Sequence, residues 1–253
     1  MIAHPLLPKL KALRLSGIAD MLDDRAEMAR VQNLQPIDFL ALLLDDEIER
    51  RAQNKQQRLQ QAAGFDEVKL LAQFDFASVP NLDRSTVLEM ATCKFIQRKQ
   101  NWLLCGPSGV GKSHLATAIG YEAIKRDMTV LSFRTAIMLD RLRAGRADGT
   151  YFGLMSRIKK CNLLIMDDLG LKPINEQGAD DLYEIIHERY EKASIIVTSN
   201  RSLSEWTELF GNALLASAAL DRLTHHARIT VIRGESYRQR HRRTANDQHV
   251  DQE

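Results

Sequence analysis

Apolar residues along the chain change their period near residue 84. Before it, Ile37, Leu40, Leu44 and Ile48 fall on one face at helical spacing, Pro36 suits a first helical position and Gly64 offers a stop. This predicts a long amphipathic helix over residues 36–63. Its polar continuation, Glu49 to Gln61, is rich in Arg and Gln, and Glu47 stands four residues ahead of Arg51 for local charge pairing. Gly64 to Leu82 carries Phe65, Phe74, Phe76 and Pro80 without sustained periodicity, and reads as a linker held to its neighbours by aromatic anchors. Beyond it, the short apolar runs Trp102–Cys105, Thr129–Phe133, Leu163–Met166, Ile195–Thr198 and Ile229–Ile232 alternate with helical segments. That alternation predicts an α/β fold with a parallel five-stranded sheet covered on both faces. The expected organisation is a helical N-terminal domain over 1–63, a linker over 64–83, an α/β domain over 84–243 and a polar tail over 244–253.

Composition narrows the class. Hydrophobic residues are 44% and charged residues 27% of 253, which excludes wholesale disorder and fibrous structure. The longest clean apolar run, Phe39 to Leu44, is far short of the roughly 20 residues of a membrane-spanning helix. The first ten residues have no apolar signal core, so no membrane partner and a cytoplasmic location are expected. Cys93, Cys105 and Cys161 form no CxxC pair, and buried thiols are expected of them. His225 and His226 are adjacent, and adjacent side chains diverge on a helix, so no transition-metal site is expected there.

The strongest chemical signal is Gly106-Pro107-Ser108-Gly109-Val110-Gly111-Lys112-Ser113, which matches GxxxxGK[ST] between an expected strand and an expected helix. Glycines let backbone N–H groups curl around phosphates, and the helix N-terminus that follows through His114 adds partial positive charge. Lys112 reaches the β and γ phosphates of ATP, and the Ser113 hydroxyl ligates Mg²⁺. The run Leu163 to Met166 ends in Asp167 and Asp168, 55 residues after Lys112. Both strands end on one edge of a parallel sheet, so Asp167 is the expected Mg²⁺ acid and Asp168 the base beside the attacking water. Asn200, after Ile195–Ser199, is a candidate to orient that water, although an Asn after a strand is ordinarily a turn residue. Arg222, on an expected helix from Ala213 to His226, can either reach a neighbouring subunit's nucleotide or pair with an acid such as Asp221.

Net charge is only +2, but Arg222 to Arg243 holds seven arginines against Glu235 alone. A second basic group lies between the second and third expected strands and includes Arg141, Arg143, Arg146, Lys159 and Lys160. Together with Arg238 and Arg240 these are candidate contacts to the phosphate backbone of duplex DNA. Aromatics at 6% argue against base stacking as the main mode.

These motifs, LLCGPSGVGKSHLA at 103–116, LLIMDDLG at 163–170, IIVTSN at 195–200, LDRLTHHA at 220–227 and IRGESYRQR at 232–240, resemble those of the IstB-type ATP-binding proteins. LKALRLSGIADML at 10–22 and DFLALLLDDEIERR at 38–51 resemble that family's N-terminal helices. These are transposition helper ATPases of insertion sequences, related to the replicative helicase loader DnaC. The resemblance implies an AAA+ ATPase that assembles into a homo-oligomer on DNA with ATP and presents a target site to a partner transposase. It implies Arg222 as an arginine finger acting on a neighbouring subunit, Asn200 as the first sensor, and Arg238 as a nucleotide-proximal or DNA-contacting residue. Only about 20 residues follow the last expected strand, too few for a separate lid of several helices of about 11 residues. A DnaC-like helicase loader is the alternative within this class. A small-substrate phosphotransferase is the alternative outside it, and the acidic and TSN strand ends fit a hydrolytic switch better.

Overall fold

Alternation along the strands decides how the sheet is covered. In this computed structural model, which describes residues 5–234, 236 and 237, the chain divides into two compact units, Met1–Arg58 and Leu59–Glu253.

The first unit contains α1 (Leu7–Ala12), α2 (Ser16–Gln32) and most of α3 (Pro36–Ala63). The face of α3 that the periodicity marks as apolar is exposed, with Ile37 71% and Ile48 65% accessible. The buried stripe is instead Leu43 and Glu47, with half-buried Phe39 beside them and Leu43 packed beside Ile18 and Leu22 of α2. A carboxylate wins a buried place here because Glu47 accepts hydrogen bonds from the Gly17 and Ile18 amides at 2.7 and 3.4 Å, satisfying N–H groups in the first turn of α2. Gly17 permits that approach, since a Cβ there would lie 2.7 Å from the Glu47 Cα. The expected pairing of Glu47 with Arg51 is present at 2.7 Å.

The second unit takes in the last residues of α3 and then two short 3₁₀ turns, Leu71–Gln73 and Phe76–Ser78. It continues through α4 (Arg84–Ala91), α5 (Lys94–Gln97), β1 (Asn101–Cys105), α6 (Lys112–Ile124), β2 (Val130–Arg134), α7 (Thr135–Asp148) and α8 (Tyr151–Lys160). It ends with β3 (Leu163–Leu169), α9 (Glu176–Arg189), β4 (Ser194–Ser199), a 3₁₀ turn over Leu203–Phe210, α10 (Ala213–Thr224) and β5 (Ala227–Val231). The strands form one sheet in the order β2-β3-β4-β1-β5, and every pair is parallel. Successive strand residues point to opposite faces. Trp102, Leu104, Leu163, Ile165 and Ile196 join a core with α4, α5 and α6. Leu103, Cys105, Leu164, Met166, Ile195 and Val197 join a second core with α7, α8, α9 and α10.

The faces follow from the order of the strands. From β1 the chain crosses over β4 and β3 to reach β2, and then returns in the opposite direction through β3 and β4 to β5. Because parallel crossovers keep one hand, reversal of direction moves the connecting helices to the other face. The loop after β1 therefore leaves the sheet where its direction switches, which is where open α/β sheets bind ligands.

Residues 64–83 pack on this unit through their aromatic side chains. Phe65 stacks on Tyr121 of α6 at 4.6 Å between ring centroids, and Phe74 meets Phe76 and the His114 ring at 4.9 and 5.5 Å. All three cysteines are buried and unbridged, and burial raises the thiol of Cys93 to about 11. Among the described residues no helix is long and apolar enough to cross a membrane. The tail 244–253, Arg238 and Arg240 lie outside the described residues.

Candidate nucleotide site

The loop from Gly106 to Gly111 turns from β1 into α6 through left-handed backbone. Gly106 has φ +145° and donates its N–H to the Ser199 carbonyl at 3.1 Å, while a Cβ on it would lie 2.1 Å from the Ile232 carbonyl oxygen. Gly111, the residue before α6, has φ +95°, and a Cβ there would strike the Phe74 ring at 2.5 Å. Side chains are thus excluded from a cradle at a helix N-terminus, where backbone N–H groups and the helix dipole favour an anion.

Lys112 is only 5% exposed, yet its ammonium is fully engaged. It donates to the Gly106 and Pro107 carbonyls at 2.8 and 2.7 Å and to Asn200 Oδ1 at 2.7 Å. The Gly loop and the end of β4 are therefore joined through one cation, which is where the sequence placed a phosphate-reading lysine and a sensor amide.

Strand β3 is irregular where the two acids occur. Pairing with β4 shifts register between Met166 and Leu169, and Asp168 takes φ +56°. The Asp167 carboxylate accepts a short hydrogen bond from the Thr198 hydroxyl, and its backbone carbonyl accepts from the Thr135 hydroxyl at 2.9 Å. The Asp168 amide donates to the same Thr198 oxygen at 2.9 Å. Thr198 thus positions both acids, a role that the sequence reading missed. The available signal was a hydroxyl directly after the apolar run Ile195 to Val197 in a buried strand, since a buried hydroxyl must find partners.

A cleft of about 410 Å³ runs over the loop and is lined by Ser108 to His114, Asp168, Asn200, Phe74 and Tyr237, among others. Lys69, Gln73 and Phe74 make one wall, so residues read as a linker help to shape the cleft. Beside it, a cleft of about 270 Å³ is lined by Ser113, Thr117, Asp167 and Asp168. A serine hydroxyl and carboxylates are the hard oxygen donors that Mg²⁺ takes, so the residues fit that ion.

Arg222 is elsewhere. It donates to the Ala218 carbonyl at 2.8 Å and lies 5.8 Å from the Tyr183 ring centroid, and among the described residues it forms no ion pair with Asp221. Its neighbour Leu223 accepts a 2.9 Å hydrogen bond from Asn101, the first residue of β1, whereas the Gly loop follows the last. At about 3.3 Å per residue, the length of β1 alone separates those ends by about 13 Å. Arg222 is therefore at the opposite edge of the sheet from the phosphate cradle of its own chain.

The basic group between β2 and β3 has mixed commitments. Arg143 pairs with Asp140 at 3.0 Å and Lys159 with Glu184 at 2.7 Å, while Arg141 and Lys160 are exposed. Arg146 forms two bonds of 2.8 and 2.6 Å to Asp181, whose side chain is 2% exposed, and it lies over the Tyr151 ring. Arg146→Ala should destabilise the protein by about 3 kcal/mol, because it strands a buried carboxylate with the Tyr151 hydroxyl as its remaining donor. Urea unfolding checks this, and an unchanged midpoint would return Arg146 to a surface role.

With this geometry in view, comparison places the chain among known sequences. Residues 8–245 match the family described as IstB-like ATP binding protein. The insertion sequence IS21 ATP-binding protein of Pseudomonas aeruginosa is 35% identical over 96% of this chain and 91% of its own length. The IS5376 ATP-binding protein of Geobacillus stearothermophilus is 36% identical over 95% and 96%. Among solved structures, DnaI aligns with a TM-score of 0.57 at 24% identity, covering 65% of this chain and 90% of that one. AMPPCP-bound DnaA from Aquifex aeolicus aligns with a TM-score of 0.55 at 22% identity, covering 65% and 50%. These two likenesses are of fold.

Proposed function

The chain belongs to the IstB-like ATP-binding protein family of insertion sequences, and from that premise we propose that it binds duplex DNA in an ATP-dependent manner and assists a partner transposase. It is an ATPase of the AAA+ P-loop class. The observation that carries the reading is Lys112, whose buried ammonium joins the Gly loop to Asn200 at one edge of the sheet.

In this reading the amides from Gly106 to Ser113 and the His114 end of α6 hold the phosphates, and Lys112 turns from its carbonyl partners to the β and γ phosphates. Ser113 and Asp167 hold Mg²⁺, which when bound neutralises phosphate charge. Asp168 takes a proton from the attacking water, and Asn200 orients that water once Lys112 has moved to phosphate. Arg222, too distant to serve its own chain, serves the neighbouring copy in a homo-oligomer. The segment 1–63 serves assembly, because it has apolar faces and no catalytic constellation, and the ATPase domain spans 84–243. The protein acts in the cytoplasm.

Arg141, Arg143, Lys160, Arg238 and Arg240 supply phosphate-backbone contacts: the Arg143–Asp140 pair is solvent-exposed and weak, whereas the more buried pairs with Asp181 and Glu184 retain Arg146 and Lys159. Five such contacts release counterions, so affinity for duplex DNA in ATP should fall on the order of 100- to 1000-fold between about 50 and 200 mM salt. Unrelated duplexes should behave alike. A flat salt response, or strong preference for one sequence, would contradict backbone recognition.

A further inference from the structure

Among the described residues, one group of His, Cys, Asp and Glu side chains outside the nucleotide site brings ligand atoms close together: Glu191, His225 and His226. Adjacent histidines diverge on a helix, but α10 ends at Thr224. His225 is already extended, with φ −59° and ψ 124°, and His226 turns left-handed with φ +59°. The two rings consequently lie on the same side of the turn, tilted by 45° with centroids 3.8 Å apart. Glu191, also left-handed at φ +57°, brings its carboxylate from the turn between α9 and β4.

We propose that Glu191, His225 and His226 bind a divalent transition-metal ion of the zinc class. One ligand atom from each residue lies within 4.8 Å of the others, and all three side chains are exposed. Zinc bonds of about 2.0–2.2 Å put tetrahedral ligands about 3.4 Å apart, so modest side-chain rotation in open solvent completes the set. Two imidazoles and one carboxylate favour zinc, copper or nickel over Mg²⁺, which takes oxygen.

The surroundings provide the next layer of such a site. The Tyr190 hydroxyl lies 2.8 Å from His225 Nδ1, leaving Nε2 as the metal ligand and holding the ring in place. Arg222 and Lys99 line the same small cleft, so charge opposes a cation and the site is reversible rather than a permanent structural centre. A metal there ties the turn after α9 to the turn after α10, three residues beyond Arg222. That would fix the end of the helix carrying this arginine.

The test is isothermal titration of the full, nucleotide-free chain with Zn²⁺, followed by Co²⁺ absorption as a report of coordination geometry. One ion per chain is expected. Affinity should fall more than tenfold in His226→Ala and Glu191→Gln, and about tenfold in Tyr190→Phe through loss of the supporting hydrogen bond. Asp167→Ala and the double variant His241→Ala with His249→Ala should bind as the parent does, which separates this site from the Mg²⁺ acid and from the two histidines nearest the C-terminus. Equal melting midpoints without metal verify that the variants are folded, and Glu191→Gln serves should a histidine variant be misfolded. Parent-like Zn²⁺ affinity in Glu191→Gln and His226→Ala, or loss of binding in the Asp167 or tail variants, would overturn the proposal.

Discussion

Lys112→Ala should lower ATP turnover about 100- to 1000-fold, the range for removing one preorganised donor from a developing anion. The ammonium joins the loop carbonyls of Gly106 and Pro107 to Asn200. Nothing neutral can replace it beside a triphosphate. The fold should survive, because the two cores of the sheet do not include Lys112, which lines the cleft instead. Phosphate-release kinetics, paired with a melting curve, separate the two effects. Turnover within threefold of the parent would remove Lys112 from the phosphate-binding role.

Arg222→Ala should bind ATP as the parent does and hydrolyse it on the order of 1000-fold more slowly, the low end of the range for arginine fingers. Its guanidinium makes contacts that a structural residue could also make, to Ala218 and Tyr183. A purely structural reading therefore predicts a small loss of stability and nearly normal turnover. Position separates the readings: Arg222 lies near the N-terminal end of β1 and the cradle beyond its C-terminal end. Head-to-tail packing of copies can bring one chain's far edge to the next chain's cradle. ATP-binding titrations and turnover of Arg222→Ala alone decide between them.

The features legible in the sequence were those whose cause is local. Five apolar runs bounded by turns marked the strands, and β1 to β5 overlap all of them. The Gly loop was legible because a phosphate cradle requires glycine at particular steps, as the contacts at Gly106 and Gly111 show. What escaped depends on partners distant in sequence. Ile37, Leu40, Leu44 and Ile48 do share a helical face, but periodicity cannot say that Glu47 will be buried against Gly17, 30 residues earlier. Arg146 looked like one more surface charge until Asp181, 35 residues later, was brought beneath it. His225 and His226 were expected to diverge on a helix running to His226, but α10 ends at Thr224 and the two rings lie with centroids 3.8 Å apart. Thr198 was passed over for Asn200, although its hydroxyl touches both acids.

The central claim is that each ATP site is completed by a neighbouring copy, and phosphate release by an equal mixture of Arg222→Ala and Lys112→Ala chains tests it most directly. In a mixed head-to-tail assembly, about a quarter of the interfaces pair an intact Lys112 from one chain with an intact Arg222 from the next. Each variant alone should be nearly inactive, and the mixture should recover up to that fraction of parent turnover. A mixture that stays as inactive as its parts, although the chains demonstrably co-assemble, would contradict a shared site and return Arg222 to a structural role.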